Sequence, residues 1–334
     1  SFAIDFFARF IHNLFRHTGI ILLDSGHDAI RKLQSELFLK LIKHQSDISE
    51  HVYETNTRLA QDGYPIMLDI ERNDGHLFYH FNGERVLLKT DSDGIWFGKQ
   101  NEIALSTQDI QTIAETEPEK LSNNVVTRPL MQELLLPTLA FIGGNGEIGY
   151  WAALKQSFHA LQLKMPPVVP RLSLTLMTPS MEKRVQRHHL SMEDIINNGI
   201  EHIKQQWLAV QQQPPISEMA DQLKRSIARA HEPFKNVAVQ IRSDLESMSE
   251  KNLSYIHHQI DFLANRMKRA IEDKYHATIN TFDQLGYALR PHQGLQERTW
   301  NILPFLNAYG LMIIRDLLEI DYSFQSVHDV VFVT

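Results

Sequence analysis

A long tract of apolar residues at helical spacing, in the C-terminal half of the chain, constrains the fold more than any other feature. Intervals of mostly three and four residues separate Met192, Ile196, Ile200, Ile203, Trp207, Val210, then Met219, Leu223, Ile227, and then Val237, Ile241, Leu245, Met248, Ile256, Ile260, Leu263, Met267 and Ala270. Such spacing places one apolar stripe on a helix. A helix over 234–285, starting after Pro233, would be on the order of 75 Å long. We therefore predict a coiled-coil hairpin in which this helix packs antiparallel on a shorter arm that ends near Ala230.

The N-terminal half alternates helical and strand-like segments. Residues 2–16 and 27–60 have helical periodicity, and the apolar run 19–24 predicts a buried parallel strand. Short β segments between 62 and 106 are separated by turn sequences such as Asn82-Gly83, so we expect a small antiparallel insertion there. Residues 128–136 predict a helix and 139–142 a strand, followed by a tight turn, a helix over 148–161 and an extended segment over 166–177. A Rossmann-like core interrupted by a β insertion accounts for this order.

These patterns together predict the fold class and the domain organisation. The class is α/β, a partial Rossmann-like core with a small β insertion and a long antiparallel α-helical coiled-coil hairpin. The predicted segments are 1–61 for the first part of the core, 62–121 for the β insertion and its connecting helix, 122–178 for the second part of the core, 179–214 for a helical connection, 215–286 for the hairpin, and 287–334 for a C-terminal segment returning to the core.

Composition excludes several classes of function. The net charge of -7 gives no electrostatic attraction to nucleic acid or to an anionic membrane. The apolar runs are far shorter than the roughly 20 residues of a membrane span. The absence of cysteine excludes disulfides, thiolate metal sites and a cysteine nucleophile, and it fits a reducing, cytoplasmic compartment. The pairs His188-His189 and His257-His258 point to different sides of a helix, so we expect no metal site. Among the histidines, only His292 is kept as a residue of possible functional interest, because it lies in the sequence motif Leu289–Arg298.

Four stretches, in this order, resemble one known family: Arg128–Thr138, Ala140–Glu147 with Tyr150-Trp151, Met165–Arg171, and Leu289–Arg298 after the predicted coiled coil. They are similar to the cysteine-adding enzymes of bacillithiol biosynthesis. The family also has a glycine-rich, histidine-containing opening region, which nothing in this chain matches. We therefore expect the chain to correspond to the C-terminal part of the family, with some nucleotide or substrate contacts outside it. The family usually has proline where this chain has Asn145.

The resemblance implies an enzyme that forms a carbon–nitrogen (amide) bond between L-cysteine and glucosaminyl malate, the last step of bacillithiol synthesis. Such a bond is uphill from a free carboxylate in water, so the chemistry implies ATP, although no Walker motif occurs in the chain. We also expect a homodimer formed through the coiled coil. The alternatives are a nucleotidyl- or glycosyl-transferring enzyme on the same type of core, and a dimeric coiled-coil scaffold protein.

The resemblance also implies a set of substrate-binding residues, each with a structural alternative. The candidates are Gly143, Gly144, Glu147, Tyr150, Arg171, Arg128 and Gln132. The two glycines would let the backbone approach a ligand, or would only form a tight turn. Glu147 would orient an amino group, or would cap a helix. Arg171 would clamp the carboxylates of malate, or would pair with Glu133 or Glu147.

The remaining candidates are less specific. Arg128 and Gln132 share a helix face at i, i+4 and would face the cleft, or Arg128 would support the scaffold. Tyr150 would line the pocket, whereas Trp151 is expected in the core. The residues Arg290 and Gln296–Arg298 would form either an interdomain clamp or a ligand contact.

Overall fold

The computed structural model describes residues 2–98, 103–323, 325 and 327–334. It divides into two compact units: the first extends to Leu172 and includes Asp316–Val327, and the second comprises Ser173–Arg315 and His328–Thr334. Residues 99–102, within the predicted β insertion, lie outside the described residues.

The first unit contains eight helices and seven strands among its described residues up to Leu172. In chain order they are α1 (Phe2–Leu14), α2 (Asp28–Leu33), α3 (Ser35–Lys43), α4 (Gln45–Gln61), β1 (Asp74–Phe81), β2 (Glu84–Thr90), β3 (Ile95–Gly98), β4 (Ala104–Ser106), α5 (Thr107–Thr116), β5 (Leu121–Asn123), α6 (Thr127–Leu135), β6 (Phe141–Gly143), α7 (Asn145–Trp151), α8 (Lys155–Ala160) and β7 (Val168–Pro170).

The predicted β insertion is an antiparallel sheet with strand order β4-β3-β2-β1-β5. The pair Phe81↔Glu84 closes the hairpin between β1 and β2. Asn82 and Gly83 form its two-residue turn with φ of 50° and 81°, as the Asn-Gly sequence predicts. Of the short β segments expected between 62 and 106, the first, Met67–Ile70, is wrong, because residues 64–71 have no regular structure and the first strand begins only at Asp74.

The predicted parallel strand over 19–24 is also wrong. Residues 20–24 have no regular structure, and Ile21 is 87% exposed. A strand exists only through hydrogen bonds to a neighbouring strand, and no strand among the described residues pairs with this segment. Helix α1, just before it, has no buried residue. Apolar character alone therefore did not determine the structure of residues 19–24, whereas the helix predicted before them is present as α1.

The candidate site lies beside a short parallel pair in the first unit. Strand β6 pairs with β7 in parallel, with Gly143 opposite Pro170. The predicted helix over 148–161 is instead two helices, α7 and α8, separated by a break at 152–154. Trp151 and Phe158, one on each helix, are at most 1% exposed and belong to the core of this unit. Their burial fixes α7 against the sheet.

The second unit is mainly helical. Its elements are β8 (Ser173–Met177), α9 (Pro179–Arg187), α10 (Met192–Asn198), α11 (Glu201–Gln211), α12 (Ile216–Ile241), α13 (Leu245–Lys274), α14 (His276–Leu289), α15 (Gln296–Thr299), α16 (Leu303–Tyr309), α17 (Met312–Leu318), whose last residues fall in the first unit, and β9 (His328–Phe332). Strands β8 and β9 pair in parallel. The core consists of Met177, Val185, Ile195, Ile200, Phe282, Leu285 and Leu289.

Helices α12 and α13 form the predicted hairpin, but its turn lies at 242–244 rather than near Ala230. Pro233 lies inside α12 instead of starting a helix. A proline within a helix removes one backbone hydrogen bond, and contacts with α13 on both sides of it hold the helix together. Lys224 Nζ lies 2.8 Å from Asp261 Oδ1, and Lys235 Nζ lies 2.7 Å from Glu250 Oε1. The prediction of one helix over 234–285 was therefore wrong.

The fold class predicted from sequence is confirmed in its mixed α/β first unit, with an antiparallel insertion, and in its long antiparallel helical hairpin. Within the described part of the chain, no helix is both long and apolar enough to cross a membrane.

Candidate functional site

The candidate site begins at the carboxyl ends of β6 and β7. The backbone N–H of Arg171, directly after β7, donates to the carbonyl of Gly143 over 2.8 Å. Gly143 is buried, and a Cβ built there would lie 3.1 Å from the Phe141 ring and 3.3 Å from the Glu147 Cβ. Both distances are shorter than ordinary van der Waals contacts, so close packing favours glycine at 143. The candidates Gly143 and Arg171 therefore lie at the same edge of this strand pair through their backbones.

The next residues begin helix α7. The N–H of Gly144 donates to Glu147 Oε2 over 3.0 Å, which places this carboxylate at the first turn of the helix. Free N–H groups at a helix start attract negative charge, and here a side chain of the protein supplies it. Of the two readings of Glu147, the capping contact is present in the structure, and an amine-binding role would have to use its second oxygen.

Arg128 links α6 to this turn. Its Nη2 donates to the Tyr150 hydroxyl and lies 3.9 Å from Glu147 Oε1, while its guanidinium carbon lies 5.9 Å from the centre of the Phe141 ring. The Arg128 and Glu147 side chains are 44% and 42% exposed, so solvent screens their attraction. The structure thus brings together Gly143, Gly144, Glu147, Tyr150 and Arg128 as a polar group open to solvent.

A buried network determines where α6 begins. Asn124 Oδ1 accepts from the backbone N–H groups of Val126 and Thr127 over 2.8 and 3.1 Å. Thr127 Oγ1 donates to the His76 carbonyl over 2.6 Å, and Asn124 Nδ2 lies 3.1 Å from His76 Nδ1. His76 is 1% exposed, and burial lowers its pKa to about 4. The imidazole is therefore neutral at physiological pH, and it supports the helix that carries Arg128.

The other two predicted residues are less tightly placed. The Gln132 side chain is half-buried and has no hydrogen-bond partner among the described residues. The Arg171 side chain is exposed and forms no ion pair with any carboxylate that the structure describes. The expected alternative partners are occupied elsewhere, because Glu133 accepts from the Thr138 N–H over 3.0 Å and Glu147 contacts Gly144. The guanidinium of Arg171 is thus free for a ligand.

The aromatic rings that pack beneath this site were not identified from the sequence. The rings of Phe141 and Trp151 stack 4.2 Å apart, and Phe141 also lies beneath Gly143 and near Arg128. Alternation along a strand places residues two apart on the same face. The spacing of Phe141 and Gly143 was therefore the available signal. Trp151 lies in the core, as expected.

The motif after the coiled coil forms a clamp within the second unit. Gln296, 3% exposed, accepts from the Leu176 N–H over 2.8 Å and donates to the carbonyls of Leu176 and Ala288 over 3.0 and 2.9 Å. Glu297 accepts from the Leu174 N–H over 2.9 Å. These contacts tie α15 to β8 inside the second unit. They favour a structural role over a ligand contact, but they do not join two domains as an interdomain clamp would. Among the described residues, no three or more metal-ligating side chains form a cluster, and His292 therefore belongs to none.

Comparison with known families accounts for both halves of the chain. Residues 2–172 match the model described as bacillithiol biosynthesis BshC, N-terminal Rossmann-like domain. Residues 174–333 match the model described as bacillithiol biosynthesis BshC, C-terminal coiled-coil domain.

Several curated relatives carry the name "Putative cysteine ligase BshC". The protein of Oceanobacillus iheyensis is 40% identical over 325 residues, which cover 97% of this chain and 60% of the relative. Those of Geobacillus thermodenitrificans and of a further Geobacillus species are 38% and 37% identical over 331 residues, covering 99% of this chain and 61% of each relative. The chain thus spans about 60% of the length of these relatives.

One expectation from the sequence is corrected by these matches. The chain does not correspond only to a C-terminal part, because the N-terminal domain model of the family matches from residue 2 onward.

Proposed function

Because the chain belongs to the BshC family of bacillithiol biosynthesis, we propose that it takes part in adding L-cysteine to glucosaminyl malate through an amide bond, the last step of that synthesis. One observation carries the proposal within the structure. Five of the seven predicted substrate-binding residues meet at the carboxyl edge of β6 and β7, and the backbone of a sixth, Arg171, joins the same edge. In open α/β sheets, ligands bind outside this edge.

The charges at this edge suit the proposed substrates. Glucosaminyl malate brings two carboxylates, and a guanidinium binds a carboxylate through two parallel hydrogen bonds. Arg171 is the freer of the two guanidiniums, whereas Arg128 is already engaged with Tyr150. We assign the carboxylates of malate to Arg171 first, with Arg128 as the second positive charge. The acceptor amine would face Glu147, whose Oε1 has only the weak contact with Arg128 at 3.9 Å.

ATP is proposed on chemical grounds. When bound, it would supply the free energy that activates the cysteine carboxylate. The start of α7 does not fit its phosphates, because the Glu147 carboxylate already accepts from the Gly144 N–H and would repel a second negative charge there. We therefore assign no step that involves ATP to these residues.

We also propose that the arm formed by α12 and α13 joins two copies of the chain. The prediction rested on Ile256, Ile260 and Leu263; the structure has the first two half-buried and Leu263 60% exposed. On α12, Phe234 is 71% and Ile241 75% exposed. Exposed large apolar side chains on both helices of the arm are typical of protein interfaces. Light scattering should give a dimer at micromolar concentration for the chain and a monomer for Leu263→Glu; a monomeric wild-type chain contradicts the proposal.

The ligase proposal is tested by incubating the purified chain with L-cysteine, glucosaminyl malate and ATP and detecting the amide product by mass spectrometry. Arg171→Lys keeps the charge and loses the two-pronged geometry. We expect its KM for glucosaminyl malate to rise roughly tenfold or more, with an unchanged unfolding midpoint. Arg72→Lys is the matched control, because Arg72 is also exposed but pairs with Glu50 of α4 and contacts none of the candidate site residues in the described structure.

Two results would contradict the proposal. If a full-length relative forms product under the same conditions and this chain forms none, the chain alone is not the ligase. If the chain is active and Arg171→Lys behaves as Arg72→Lys does, the carboxylate assignment is wrong while the ligase activity stands.

A further inference from the structure

A second group of basic side chains lies on the antiparallel sheet of the first unit, around the buried hydroxyl of Ser122. We call Arg31, His80, Arg85 and Ser122 the Ser122 cluster. Four separate elements contribute to it: α2 supplies Arg31, β1 His80, β2 Arg85 and β5 Ser122. The sheet order places Ser122 of β5 beside the β1–β2 hairpin that carries His80 and Arg85, and the Arg31 guanidinium interacts electrostatically with both of these side chains.

The geometry of the cluster is fixed by several contacts. Ser122, 3% exposed, lies with its Oγ 2.9 Å from His80 Nε2 and 3.1 Å from Arg85 Nε. The Nη2 of Arg85 donates to the Asn123 carbonyl over 2.8 Å, and its guanidinium carbon lies 3.7 Å from the centre of the Phe78 ring. Stacking on an aromatic face together with two hydrogen bonds holds the guanidinium plane in place before any ligand arrives.

Among the described residues, no carboxylate forms an ion pair with the guanidiniums of the cluster. Arg31 contacts only the Gln34 amide oxygen, at 3.4 Å. Burial and then the charge of Arg85 lower the pKa of Arg31, while the carboxylate of Asp24 acts weakly in the opposite direction. Burial and then the two guanidiniums lower the pKa of His80. Gathering like charges is unfavourable unless an anion offsets them.

We propose that the Ser122 cluster binds a phosphate group. Two guanidiniums offset the two negative charges of a phosphate, and the Nη1 group of Arg85 and most of the Arg31 donors have no protein acceptor among the described residues. Arginine is the side chain best suited to this oxyanion. Either the Ser122 hydroxyl or the Nδ1–H of His80 can donate one further hydrogen bond, because a single proton joins Ser122 Oγ to His80 Nε2 when the imidazole is neutral. The site does not depend on the proposed ligase activity.

The test is the binding of inorganic phosphate to the purified chain, measured by isothermal titration calorimetry, with acetate at the same ionic strength as the control anion. We expect saturable phosphate binding that Arg31→Gln and Arg85→Gln each weaken roughly tenfold or more, because each removes charged hydrogen bonds. Arg72→Gln, at an exposed arginine outside the cluster, should bind phosphate as the wild-type chain does. Circular dichroism verifies the fold of each variant.

The Arg31 variant decides the outcome if Arg85→Gln fails to fold, since Arg85 also bonds the backbone of β5 whereas Arg31 bonds only Gln34. Absence of saturable phosphate binding, equal binding of acetate, or undiminished binding in Arg31→Gln would each overturn the proposal. Phenyl phosphate separates the possible sources of the group. Binding of both compounds supports a phosphate ester as ligand, and binding of inorganic phosphate alone supports the free ion.

Discussion

Replacing His76 by Asn should remove a specific pH dependence from the stability of the first unit. His76 has an ordinary pKa of 6.5 in the unfolded chain and one of about 4 in the fold, where burial excludes the charged form. Between these values the unfolded state binds more protons than the folded state, so stability falls as the pH falls through this window. Asparagine suits the left-handed backbone of this position, where φ is 55°.

The magnitude follows from the two pKa values. Proton linkage predicts that lowering the pH from about 7.5 to about 5 costs the wild-type protein about 2 kcal/mol through this residue. Burial also lowers the pKa of His80, His188 and His328. Their contributions have the same sign but cancel when the variant is compared with the wild type at each pH. The variant should therefore be less stable at neutral pH, because a buried ring is lost, and this deficit should shrink by about 2 kcal/mol near pH 5.

The assay is urea unfolding of both proteins, followed by tryptophan fluorescence at the two pH values. Trp96 is a suitable reporter, because its ring packs where a Gly75 Cβ would lie, next to His76. If the difference in unfolding free energy between the two proteins is the same at both pH values, His76 does not titrate as a buried neutral group, and the reasoning fails.

Three further changes test the packing. Gln296→Ala leaves the N–H and C=O of Leu176 buried without their side-chain partner. It should lower the unfolding free energy of the second unit by about 2–4 kcal/mol, measured by urea unfolding. A loss below about 0.5 kcal/mol would contradict the clamp. Phe282→Ala removes a ring that is 1% exposed and whose centre lies 5.6 Å from that of the Trp207 ring. It should lower the unfolding free energy by about 3–5 kcal/mol in the same assay. A loss no larger than that of a surface substitution would show that the ring is loosely packed. Ser106→Ala removes the N-cap of α5 and should cost about 1 kcal/mol in thermal unfolding, with an unchanged midpoint as the contrary result.

Local sequence signals predicted what depends on neighbouring residues. Asn82-Gly83 adopts the turn that its two residues favour, and the Gly143-Gly144 turn leads from a strand into a helix as predicted. The segment 19–24 shows the limit of such signals. Its apolar residues are compatible with a strand, but a strand requires a hydrogen-bonded partner, and partnership is a property of the tertiary structure.

The candidate site was predictable in its backbone and less so in its side-chain contacts. The position of Gly143 at a strand end follows from the apolar run before it, and Arg171 follows the paired strand in the same way. The contact of Arg128 with Tyr150 joins residues on two helices, and no local pattern encodes it. The helix start predicted at Pro233 was wrong for a related reason: packing of α12 against a second helix outweighs the loss of one backbone hydrogen bond at the proline.

The arm formed by α12 and α13 has a consequence for how the protein opens. Each of these helices contains a single buried residue, Ile216 on α12 and Ala264 on α13. Within one copy of the chain these two helices have no third layer, so every turn is stabilised mainly by the turns beside it. Near Lys274 the hairpin is fixed to the rest of its unit, because the ring of Tyr275 contacts the ring of Trp207 edge-on, with their centres 5.3 Å apart. Amide hydrogens should therefore exchange fastest at the turn 242–244 and progressively more slowly toward Trp207, a gradient set by distance from the free end.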